Sequence, residues 1–257
     1  MSHPSSLIVL HAHPDDESIF TGATIRRAAD AGVRVVVISA TSGEAGEPQV
    51  SLAAGETLRQ RRVTELERAC EVLGAARLVL LGYLDSGAHL GPYPAGSLGA
   101  ARVSEVAGRV ERVVREENAS ALVYYDRRGI YGHVDHVQVH RVGQLVARWT
   151  GITGYQATVD RQQLRRGPYH VVQHAAGDDR RIGVSSHRVS CTVEASTTEL
   201  LAKMAAMSAH ASQIGPRWLD PSRFATGYGR EWFVRQGGPG LVDALSTARP
   251  VPAGRPG

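Results

Sequence analysis

Two short segments concentrate side chains that could do chemistry together. His13-Pro14-Asp15-Asp16-Glu17 places one imidazole and three carboxylates within five residues. Tyr131-Gly132-His133-Val134-Asp135-His136 places two imidazoles, a carboxylate and a phenol within six. Imidazole nitrogens and carboxylate oxygens are the ligands that suit zinc, and the same groups serve as general acids and bases. Neither segment demands this reading alone. An acidic run such as Asp15-Asp16-Glu17 also suits a helix N-terminus, where the macrodipole favours negative charge. The question is whether the fold brings the two segments together.

The elements around them answer it. Leu7-Ile8-Val9-Leu10 is a short apolar run leading into His11-Ala12-His13 and reads as a buried strand. Residues 21–31 have helical spacing with Gly32 as the stop, and 33–39 (VRVVVIS) is a β-branched second strand. Residues 56–73 repeat as a helix through Val63, Leu66, Cys70 and Leu73, closed by Gly74. A third strand is expected at 78–81, a helix along Val103, Val106, Val110 and Val113, a fourth strand at 121–125 and a helix over 135–149. Alternating strands and helices with continuously apolar strands predict an α/β fold: a Rossmann-like, mostly parallel sheet with helices on both faces. In such sheets ligands bind beyond the carboxyl ends of the strands. Both chemical segments fall there, the first after the first strand and the second after the fourth.

The second half is less regular. Strands are expected at 155–160, 188–193 and 232–234. Ser196-Thr197-Thr198-Glu199 fits a capping box opening a helix through Ala211, with Leu200, Met204, Met207 and Ala211 on its apolar face. With no clear linker, residues 1–247 read as one domain with an elaborated C-terminal part. The Pro/Gly-rich 248–257 reads as a disordered tail.

Composition narrows the partners. The formal charge is +4, from 29 Lys+Arg against 25 Asp+Glu, and 28 of the basic residues are Arg, with Lys203 the single Lys. They are scattered in pairs at most, and aromatics are only 5%. A nucleic-acid surface would more often gather them on one stripe, so no nucleic-acid partner is expected. No stretch approaches the ~18 apolar residues of a membrane span, and the N-terminus lacks a cationic, apolar leader. Cys70 and Cys191 read as free thiols. The expectation is a cytoplasmic protein without a membrane partner; an oligomer is compatible with the sequence.

The paired motifs His13-Pro14-Asp15-Asp16-Glu17 and Gly132-His133-Val134-Asp135-His136 resemble those of PIG-L/LmbE-type zinc-dependent N-deacetylases. Further matches are Gly43-Glu44-Ala45-Gly46-Glu47, Arg62 with Glu65-Leu66, Asp85-Ser86-Gly87 and Ala209-His210-Ala211-Ser212-Gln213, a pattern similar to the actinobacterial mycothiol-pathway deacetylase and amidase branch. Val134 departs from the pattern, where Pro is frequent, and the match weakens from Ile214 onward. The resemblance implies one zinc ion per chain on His13, Asp16 and His136, with a water in the fourth position; iron(II) stays open as the cellular ion. It implies Asp15 as general base, and His133 as the electrophile that, protonated, steadies the oxyanion and then acts as acid. It implies Asp135 as the carboxylate orienting His133, Tyr131 as a second donor, and Arg62, Glu47 and Asp85 as substrate contacts. The implied activity is removal of an N-acyl group, foremost acetyl, from a glucosamine-type small molecule or glycoside. The alternatives are an amidase for a thiol conjugate or antibiotic-like N-acyl substrate, and a metal phosphoesterase. His11 and His140 are weaker ligand candidates, His210 reads as structural, and His3, His89, His170, His174 and His187 read as solvated loop residues.

Overall fold

The structure is a computed structural model, described for residues 5–87, 91–167, 169–175 and 182–246; His3, His89 and the 248–257 segment lie outside these. Strand β1 (Ser6–His11) leads to α1 (Asp16–Asp30), β2 (Arg34–Thr41), α2 (Leu58–Leu73), β3 (Arg77–Tyr83), α3 (Val103–Glu116) and β4 (Ala121–Tyr125). A single turn α4 (Gly129–Gly132), then α5 (Val134–Thr150) and β5 (Thr153–Thr158), follow. The remainder comprises α6 (Arg161–Arg166), α7 (Val171–Ala175), β6 (Cys191–Glu194), α8 (Thr197–Ala209), α9 (Pro221–Tyr228), β7 (Arg230–Gln236) and α10 (Leu241–Leu245).

The seven strands form one sheet in the order β3-β2-β1-β4-β5-β7-β6. The first five are parallel; β7 runs antiparallel to β5 and β6 antiparallel to β7. From β1 the chain builds outward through β2 to β3, then crosses back to add β4 and β5 on the other side. Right-handed crossovers therefore put α1 and α2 on one face and α3 and α5 on the other. α8 joins the first layer, packing on α1 and α2, while α3 packs on α5. The direction reverses between β1 and β4, and the carboxyl ends of adjacent parallel strands there form the crevice where such sheets bind ligands.

Two expectations change. α1 begins at Asp16, not Thr21: the acidic run is the helix's first turn, so one segment supplies both helix start and chemistry. The capping box at Ser196 is present, but the buried face of α8 carries Glu199, Lys203, Ala206 and Met207, and Ala211 is exposed beyond the helix. Lys203 is 1% exposed, with its Nζ 2.6 Å from Glu231 Oε1. The Glu231 carboxylate also accepts the mid-helix N–H groups of Ala23 and Thr24, each at 2.8 Å. Gly22 permits this contact, since a Cβ there would lie 3.1 Å from Lys203 Cγ. Removing one partner of a buried ion pair strands the other. Lys203→Ala will therefore cost about 3–5 kcal/mol in urea unfolding; a loss below about 1 kcal/mol would show that the pair does not hold α8 to β7.

Candidate metal centre

β1 and β4 are neighbours in the sheet, so His13 and Asp16, just past β1, meet His136, in the first turn of α5. Gly129 lets the chain from β4 pass that helix closely, because a Cβ there would lie 2.5 Å from His136 Cβ. His13 Nδ1, Asp16 Oδ2 and His136 Nε2 form a triangle with sides of 3.5, 3.3 and 3.3 Å. Donors bonded to one tetrahedral ion at ~2.0–2.1 Å would stand roughly 3.3–3.4 Å apart. Two imidazoles and a carboxylate, nearly dry and at that spacing, fit a metal with an open fourth position.

The other nitrogen of His13 faces away from the triangle. Its Nε2 lies 3.3 Å from Asp135 Oδ2 and 3.6 Å from Asp85 Oδ1. Asp135 is held in turn by the Ser86 N–H at 3.0 Å and the Ser86 hydroxyl at 2.5 Å. The Asp135 carboxylate thus supports the ring of His13, whereas the sequence led us to expect it on His133. A carboxylate behind an imidazole fixes its tautomer and raises its basicity toward a metal. Asp135→Asn will weaken metal binding by about 10–100-fold, read by competition with a chelating dye; unchanged affinity would remove Asp135 from this supporting role.

Asp15 sits between His13 and Asp16 with φ of 105°, an unusual backbone for a residue with a side chain. Its N–H donates to Glu17 Oε2 at 3.0 Å, and Glu17 Oε1 accepts from His210 Nε2 at 2.7 Å. Burial pushes the Asp15 carboxyl up to about 7, with the Arg62 guanidinium pulling against it. Arg62 is buried and donates to Pro14 O at 2.5 Å, Gly43 O at 2.7 Å and Asp15 Oδ2 at 3.2 Å. Its donors thus grip the Asp15 turn although it lines the pocket. We therefore expect Arg62→Ala to lower kcat by about 10²-fold, the usual result of a small misplacement, with a lesser change in KM; a rise in KM alone would make it a substrate contact.

His133 caps α5, its Nδ1 accepting the Asp135 N–H at 3.2 Å. That bond leaves the ring proton on Nε2. Burial lowers His133 to about 3, with His13 and His136 adding to the effect, which favours the neutral ring as a donor over the protonated acid that the resemblance implies. Burial holds the Tyr131 phenol well above its usual value, and its hydroxyl lies 3.4 Å from His136 Nε2.

These groups open on a cavity of about 210 Å³ whose lining includes His13, Asp15, Asp16, Arg62, Asp85, Tyr131 and His133. Ile19, Phe20, Val171 and Val172 supply an apolar side, and Gln213 a polar one. Larger cavities of about 490 and 450 Å³ lie elsewhere, with no histidine in their walls. Glu47 does not join the lining; it is exposed, and only its backbone carbonyl meets Gln213. His11 bonds Tyr125 and Thr21, and His140 bonds the Tyr125 carbonyl, so neither enters the triangle. His174 and His187 are exposed, but His170 is buried and stacked on Phe20, which corrects its reading as a solvated residue. Sequence reasoning assigned no role to Ser86, Glu17, Phe20 or Gln213. Ser86 and Gln213 lie in matched motifs, and Phe20 stands one turn after Asp16 on α1.

Residues 8–147 match the PIG-L family, GlcNAc-PI de-N-acetylase. A 1D-myo-inositol 2-acetamido-2-deoxy-alpha-D-glucopyranoside deacetylase of Kineococcus radiotolerans is 35% identical, over 83% of this chain and 70% of that protein. A deacetylase of the same name from Salinispora arenicola is 31% identical over 96% and 92%. In fold, the chain is similar to the N,N'-diacetylchitobiose deacetylase of Pyrococcus horikoshii, with a TM-score of 0.62 and 20% identity over 90% of this chain and 84% of that one. By its profile match and by relatives that align along most of its length, the chain belongs to the PIG-L family.

Proposed function

We propose that the protein is a zinc-dependent hydrolase that removes the N-acetyl group from a glucosamine-type sugar. N-Deacetylation, hydrolysis of a non-peptide carbon–nitrogen bond, is the activity of its family and relatives. The observation that carries the mechanism is the donor triangle of His13, Asp16 and His136 with the Asp15 carboxylate and the His133 N–H beside it.

A zinc ion in that triangle would supply Lewis acidity, making water easier to deprotonate near neutral pH and polarising the amide carbonyl. Asp15 then accepts the proton of the attacking water. With burial raising its carboxyl to about 7, it can return that proton to the departing amine. His133 donates from Nε2 to the oxygen on which negative charge develops, a preorganised contact that strengthens in the transition state. Tyr131 keeps its proton and offers a second donor. Asp85 and Gln213 face the cavity with groups that can bind sugar hydroxyls. The cavity of about 210 Å³ is smaller than the ~300–1,000 Å³ of drug-sized sites. That suits an N-acyl group and one ring, with the remainder of the substrate outside.

A phosphoesterase with two ions needs a carboxylate bridging them. Here the second cluster, Asp85 with Asp135, meets the triangle at the His13 ring, and among the described residues no carboxylate bridges the two. The two free, buried cysteines suit a reducing compartment, which supports a cytoplasmic place for this reaction. The test is amine release from the acetylglucosaminyl-inositol named for the relatives, from an N-acyl glycopeptide and from a thiol-conjugate amide, beside phosphate release from a sugar phosphate. We expect the first to be turned over best. Preference for the conjugate would transfer the substrate to the amidase alternative, and phosphate release without amine release would overturn the proposal.

A further inference from the structure

Between β4 and α5 the backbone takes a path that its own residues disfavour. Gly129, Ile130 and Gly132 have φ of 59°, 67° and 100°. For Ile130 this is costly: it is β-branched and fully buried, and its φ of 67° with ψ of −56° is the rare, strained γ-turn. Such a residue persists only where its surroundings over-determine it.

The surroundings here do so from two sides. Asp126, 2% exposed, accepts the N–H groups of Arg128 and Ile130 on Oδ1 at 2.8 and 3.0 Å. Its Oδ2 accepts the Thr158 hydroxyl at 2.5 Å, which ties the carboxylate to β5. The Ile130 carbonyl accepts the Gly183 N–H at 2.7 Å. Gly183 is fixed in turn: Arg161 donates to Ile182 O at 2.9 Å and to Gly183 O at 2.6 Å. A Cβ on Gly183 would lie 2.1 Å from Val159 O, so only glycine fits that corner. Both peptide groups flanking Ile130 are thereby pinned, and the next side chains along the chain are Tyr131 and His133.

We propose that Asp126, Arg161 and Gly183 act as a positioning clamp that holds Ile130 in its strained turn and so aims Tyr131 and His133 into the cavity. The clamp gives the elaborated C-terminal half a part in catalysis, since Arg161 and Gly183 come from it and neither reaches the donor triangle. The catalytic part of this inference rests on the deacetylase reading above.

The test compares the wild type with Asp126→Ala, Asp126→Asn, Arg161→Ala and His133→Ala, and with the last combined with each clamp variant. Metal content is measured in every sample. Asp126→Ala will lower kcat by about 10²-fold and Arg161→Ala by roughly tenfold, with KM and bound metal little changed. Asp126→Asn will recover much of the loss, because its amide oxygen still accepts the two N–H groups. In the His133→Ala background the clamp losses will shrink, since the group they position is already gone. Losses that add in full, or that follow metal loss, would overturn the clamp. If Asp126→Ala does not fold, the Arg161→Ala cycle carries the same test. Histidine-labelled spectra separate the two claims: the His133 ring resonance will shift or broaden in the clamp variants whichever substrate is turned over. An unmoved resonance overturns the clamp, while a wild type inactive on every N-acyl sugar overturns the deacetylase reading instead.

Discussion

Asp15→Asn will keep its metal and lose about 10²–10⁴ in kcat, the usual worth of a positioned acid–base group. The substitution preserves size and leaves the three donors of the triangle untouched. It removes a carboxylate that lines the cavity beside them, stands outside the triangle and is pushed by burial to about 7. The backbone contact to Glu17 needs only the N–H of residue 15, so the turn survives the change. Steady-state kinetics beside elemental analysis checks both halves. Normal turnover at normal metal content would mean that another group moves the proton.

His133→Ala will lower kcat by about 10²–10³, the typical loss when one oxyanion donor is removed, with KM nearly unchanged. With Nδ1 taken up by the Asp135 N–H, the ring is left to donate from Nε2, and such a bond matters mainly as charge develops. A group that bound ground state and transition state alike would instead raise KM. Raised KM with unaltered kcat would therefore assign His133 to substrate binding. The variant also loses a cap on α5, so a melting curve must accompany the kinetics.

Much of this site is legible in the sequence because the donors of its triangle come from short motifs placed directly after strands. The apolar runs of β1, β2 and β4 are unambiguous, and a parallel sheet leaves little choice about where residues after β1 and β4 go. What was not legible depends on contacts distant in sequence. Asp135 and His13 are 122 residues apart, and nothing local distinguishes a carboxylate that supports His13 from one that supports its neighbour His133. Arg62, expected from sequence as a substrate contact, lines the cavity, but its shorter hydrogen bonds go to carbonyls of Pro14 and Gly43, and backbone acceptors leave no trace in residue type. His170 was misread for the same reason: its burial comes from Phe20 on α1 and Tyr228 on α9, while its own flanks resemble a loop. Lys203, the single lysine of the chain, lies beside the helix face read as apolar, and Glu231 on β7 explains its burial.

In the proposed reaction, one ion in the triangle of His13, Asp16 and His136 makes this chain an amide hydrolase. The most direct test strips the protein with a chelator and titrates zinc back while following acetate release from an N-acetylglucosaminide. A single catalytic ion requires no activity in the stripped protein and full recovery at one equivalent per chain. Activity that survives complete metal removal, or that needs a second equivalent to appear, would contradict it.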